Sequence, residues 1–114
     1  MLVNLVTLEE WANGDVPTMK EIIRLFMENT PPTLDLLGKA IETWDWDGVV
    51  RHAHKLKSSY SIVTVANGYE LIQGIEMAGR DQKDKDKIVA DFATVRGQYA
   101  DAVKEFDAFI AQGA

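Results

Sequence analysis

Apolar side chains recur along this chain at steps of three and four, the period of helices buried on one face. Met19, Ile22, Ile23 and Phe26 form one stripe, and Leu25 falls outside it. Leu34, Leu37, Ile41 and Trp44 form a second, and Val49, Ala53, Leu56, Tyr60 and Val63 a third. Leu71, Ile72 and Ile75 give a fourth. The longest is Ile88, Phe92, Val95, Tyr99, Ala102, Phe106 and Phe109, whose alternating steps of four and three mark a continuous bundle seam. No segment alternates convincingly at the strand period.

Local chemistry sets the expected boundaries. Thr7 and Glu10 have the capping-box spacing for a short first helix that Asn13-Gly14 ends. Asp15 can cap a helix from about Val16, with Pro17 tolerated in its first turn. Asn29-Thr30-Pro31-Pro32 is expected to stop that helix and start the next, because proline can begin a helix but not continue one. Asp45 or Asp47 can cap the helix carrying the third stripe, and the β-branched run Val63-Thr64-Val65 should end it. A helix over roughly 65–79 follows, with Gly68 and Gly74 permitting close approach of a neighbour. The run DQKDKDK reads as a solvated loop plus the first turn of the last helix. Short connections favour antiparallel neighbours over an extended helical hairpin. The expectation is a single all-α domain over 1–114: an antiparallel up-and-down four-helix bundle with a short additional N-terminal helix.

Composition narrows the function. With 114 residues, 46% apolar and 26% charged, the chain suits one soluble core. It has no cysteine, hence no disulfide, thiolate nucleophile or cysteine-based metal site. The start MLVNLVTLEEW lacks the positive region of a secretory signal, and no apolar run approaches the roughly 18 residues of a membrane span. A formal charge of −6 argues against nucleic acid or an anionic membrane as the main partner, leaving a protein or a small ligand.

Both histidines lie in RHAHKLKSSY, residues 51–60. At about 100° per residue, His54 falls about 130° from the centre of the third stripe and His52 only about 70°. His52 should therefore be partly buried at the flank of the core, and His54 should face solvent. An i, i+2 pair on a helix cannot converge on one ion, so no metal site is expected here. Val50, Lys57 and Ser58 share the helix surface with His54, with Ser61 a turn further on, and no carboxylate lies three or four residues away to hold the ring as a general base. A nucleophile with a cation beside it and open space around it suits an arriving anionic group. An exposed histidine is largely neutral at neutral pH, and phosphoryl transfer asks mostly for positioning and charge stabilisation. The chain has no Gly-rich phosphate loop, so the activated phosphate and its metal must come from a partner.

Ala53-His54-Lys55-Leu56-Lys57-Ser58-Ser59 resembles the AHxLKGS-type signature of histidine-containing phosphotransfer (HPt) domains of multistep two-component phosphorelays. The upstream run through LGKAIETWDWDGVVRHAHKLKSS and the downstream LIQGIE are also similar to the family, over roughly residues 4–112. The resemblance implies a four-helix bundle in which His54 is the phosphoacceptor, Lys57 stabilises phosphate charge, and Ser58 fills a small-residue position, usually glycine, that gives the partner access. Thr64-Val65 stands where many members have Gly-Ala. It further implies a cytoplasmic, monomeric phosphocarrier without kinase or phosphatase activity, exchanging phosphate with response-regulator receiver domains, including those of hybrid histidine kinases. No cofactor is expected on this chain, Mg²⁺ being supplied by the receiver. Leu25, Val50 and Ser61 are candidate docking residues, since Leu25 leaves its helix's stripe while Val50 and Ser61 lie near His54 along its helix. The alternative is a helical-bundle adaptor that binds a protein without transfer.

Overall fold

A computed structural model describes residues 2–112. The chain runs through β1 (Val3–Asn4), α1 (Val6–Trp11), α2 (Val16–Thr43), α3 (Trp46–Tyr60), β2 (Thr64–Val65), α4 (Gly68–Asp81) and α5 (Lys85–Ala111). The four long helices pack in a ring, α2 on α3, α3 on α4, α4 on α5 and α5 back on α2. This is the all-α bundle with a short N-terminal helix that the stripes imply. All five residues of the third stripe are buried, and so are Ile88, Val95, Tyr99, Ala102 and Phe106 of the last; Phe92 and Phe109 are half-buried at its edges.

The capping chemistry is met at two starts and not at the first. Asp15 accepts from the Thr18 N–H and Asp45 from the Gly48 N–H, so α2 and α3 begin where side-chain oxygens satisfy free amides. Thr7, by contrast, lies inside α1 and makes no capping box; the Val6 N–H donates to Asn4 Oδ1 at 2.9 Å instead. The β-branched run after α3 does more than end a helix. Thr64–Val65 pairs antiparallel with Val3–Asn4, a two-residue ladder that periodicity is too short to announce. α4 accordingly starts at Gly68, not at 65.

The expected break at Pro31-Pro32 does not occur, and α2 passes through both prolines. Pro31 leaves the Met27 carbonyl without its helical donor, and the Tyr99 hydroxyl of α5 donates to that carbonyl at 3.3 Å. Around the prolines, Phe26, Thr30, Thr33, Leu34 and Leu37 keep one face buried, so tertiary packing outweighs the local cost. Tyr99→Phe is therefore expected to lower stability by about 1 kcal/mol, read as a fall in thermal midpoint of about 4 °C.

Close helix approach is set by Gly68 and Gly79 rather than by Gly74. A Cβ at Gly68 would lie 2.7 Å from the Tyr60 ring, and one at Gly79 would lie 3.0 Å from Val49 and 3.2 Å from Val50. At Gly74 nothing comes nearer than 3.9 Å. Gly79 thus fixes the spacing of α3 and α4. Gly79→Val should overpack this seam and cost about 1–3 kcal/mol in denaturant unfolding.

The α2–α3 turn closes the far end of the bundle. Trp44 adopts φ 49°, ψ 44° and ends α2, its ring 5.2 Å from Trp46, and Lys85 at the start of α5 sits 5.2 Å over Trp44 and 5.8 Å over Trp46. The acidic and basic run before α5 is solvent-exposed, and α5 begins within it at Lys85.

Candidate functional site

α3 turns its stripe inward and presents His54 outward, with 60% of the side chain exposed. His52 is half-buried, as its place on the flank requires. Burial lowers its pKa, Arg51 and Lys55 lower it further, and Asp45 works in the opposite direction.

The carboxylate absent from His54's own helix arrives from α4. Glu76, its side chain 3% exposed, lies on the buried face of α4 beside Ile72, Ile75 and Gly79. Its Oε2 is 3.1 Å from His54 Nδ1 and accepts from the Arg80 guanidinium at 2.6 Å. Lys57 Nζ stands 2.8 Å from Oε1, a charge contact whose alignment falls short of a hydrogen bond. Burial alone would raise the pKa of Glu76; the contacts from Lys57, His54 and Arg80 together outweigh it and hold the carboxyl below its ordinary range.

An ionised carboxylate only accepts, so His54 Nδ1 must carry the proton in this contact. In the neutral ring this tautomer leaves the Nε2 lone pair free. The ring is fixed by a buried anchor at one nitrogen and available for bond formation at the other. Gly79, one turn from Glu76, lets α4 come close enough to α3 for the contact to form.

The structure thus gathers His54 and Lys57 on one carboxylate, and adds Glu76 and Arg80, which the sequence reading missed. The signal for Glu76 was a charged residue in line with Ile72, Ile75 and Gly79, a position that demands buried partners. Arg80 follows it at the i+4 spacing of a helical ion pair. Ser58 is exposed on the turn after His54, and its hydroxyl donates to the His54 carbonyl at 3.2 Å. Ser61 is exposed at the end of α3 and donates to the Ser58 carbonyl at 2.6 Å. Leu25 is 48% exposed and lines a groove with Ile22, Asn29, Ser59 and Ile62 between α2 and the end of α3. Val50 is half-buried and leans on Gly79, lining a separate cleft with Trp46, Arg80 and Gln82. The two candidate apolar contacts therefore lie on opposite flanks of α3. Among the described residues no cluster of three or more His, Cys, Asp or Glu is placed to hold a metal, and no helix is long and apolar enough to cross a membrane.

A family model described as "Hpt domain" matches residues 21–109, which spans α2 through α5. No curated protein and no solved structure gives a significant match.

Proposed function

The chain belongs to the Hpt domain family, whose members serve histidine phosphotransfer in two-component signalling, and from that membership we propose that His54 carries the phosphoryl group between receiver-domain aspartates in a multistep phosphorelay. The observation that supports this reading most is the His54–Glu76 contact at 3.1 Å, which leaves Nε2 as the outward nucleophile.

In the proposed step, the Nε2 lone pair attacks the phosphorus of a receiver's aspartyl phosphate in line. The Nε2–P bond forms as the P–O bond to the aspartate breaks, and the electron pair stays on the receiver's carboxylate. The Nδ1 proton does not move; Glu76 offsets the positive charge that develops on the ring. Lys57 and Arg80, already drawn to this edge by Glu76, offset charge on the transferred group. Ser58 keeps the surface beside the ring small, and Leu25, Val50 and Ser61 border the docking face. Mg²⁺ and the remaining catalytic groups belong to the receiver, so the chain acts as a carrier and needs no cofactor of its own. A cytoplasmic monomer fits a carrier that must keep its histidine exposed.

The test is uptake from receiver domains charged by a small phosphodonor. The expected result is acid-labile, base-stable phosphate on this chain. Absence of uptake from every receiver of the source organism would instead leave the adaptor reading.

A further inference from the structure

Charge along the stretch of sequence that carries His54 is distributed unlike charge in the rest of the chain. Residues 48–69 contain Arg51, Lys55 and Lys57 and no Asp or Glu; since the whole chain carries −6, the remainder carries −9. Within that stretch the three cations are used differently. Lys57 is turned to buried Glu76, and Arg51 is paired with exposed Asp47 at 3.0 Å. Lys55 is exposed and has no ion pair among the described residues.

Helix geometry places these charges on the docking face. At about 100° per residue, His54, Asp47, Ser58, Arg51, Ile62 and Lys55 fall within an outward arc of about 100° on α3 and its C-terminal turn, with Asp47 paired to Arg51 and Lys55 left unpaired among the described residues. Ile62 continues that arc into the groove bordered by Leu25. An apolar strip of this kind gives contact area but little discrimination between related partners, whereas opposed charges discriminate and steer encounter.

Resting on the phosphotransfer reading above, we propose that Arg51 and Lys55 determine partner choice. They favour receiver domains whose docking rim is acidic, and they act on the rate of encounter, not on the transfer step at Nε2. The net negative charge of the rest of the chain disfavours the same partners elsewhere, which sharpens the orientation.

The experiment measures transfer from two phosphorylated receiver domains, one with an acidic and one with a basic docking rim, at low and high salt. Lys55→Glu and Arg51→Gln are compared with Lys104→Glu, a charge reversal on α5, which lies across the bundle from α3. Lys55→Glu is expected to lower the second-order rate with the acidic receiver about tenfold at low salt and to raise it with the basic one. The difference should fade near 1 M salt, where screening acts within about 3 Å. The rate at saturating receiver should stay near that of the unmodified protein, and Lys104→Glu should change little. Equal rates for Lys55→Glu and the unmodified protein with both receivers would overturn the charge selection and leave phosphotransfer standing. No uptake by the unmodified protein would overturn both.

Discussion

His54→Gln is expected to reduce phosphoryl uptake from a charged receiver to background while the bundle stays folded. The side chain is 60% exposed, so the substitution removes no core volume. A Gln amide can still donate toward Glu76, and Lys57 and Arg80 remain on that carboxylate. Stability should therefore stay within about 1 kcal/mol of the unmodified protein. What is lost is the nitrogen lone pair, for which an amide offers no replacement. Uptake assays beside a thermal melt separate the two effects, and uptake that persists in a folded His54→Gln protein would remove His54 from the role proposed for it.

Glu76→Ala should show the second-largest effect, and it should act twice. The ring loses its anchor at Nδ1, so Nε2 is no longer held in one direction; misplacement on the scale of an ångström can slow a positioned reaction about 100-fold, and a loss of about 10–100-fold is expected. The fold also loses a buried carboxylate held by two cations, Lys57 and Arg80, and by the His54 ring, costing about 1–3 kcal/mol because those partners can turn toward water. Glu76→Gln keeps the shape and an acceptor for Nδ1–H, so it should recover part of the transfer rate. A purely structural Glu76 would not give that graded kinetic recovery at equal stability. The pH dependence follows from the lowered pKa of the native carboxyl. Its stabilising contribution is fully present above the ordinary glutamate value of about 4.3, and it is lost as pH falls through the lower native value. The stability gap between the unmodified protein and Glu76→Gln should accordingly shrink on acidification below about pH 4.

The bundle was legible because its information is local and periodic. The stripe of Val49, Ala53, Leu56, Tyr60 and Val63 alone put His54 outside and His52 on the flank, and both are found there. The helix through Pro31-Pro32 is not legible from neighbours in sequence, because the donor that satisfies Met27 comes from Tyr99, 72 residues away. The same limit hid the anchor of the site. Scanning three and four residues either side of His54 finds no carboxylate, yet Glu76 stands 22 residues on and reaches it across the α3–α4 seam. The spacing of that seam depends on Gly79, whose missing side chain carries no periodic signal of its own. Contacts within one helix could be read from the sequence; contacts between helices required the fold.

The central claim is that His54 accepts the phosphoryl group at Nε2 while Nδ1 keeps its proton on Glu76. Multiple-bond proton–nitrogen NMR of the phosphorylated protein, with ³¹P coupling, reads both atoms at once. The account predicts phosphorus bonded to Nε2 of His54 and a proton retained on Nδ1. Phosphorus on Nδ1 of His54, or on His52, would contradict it.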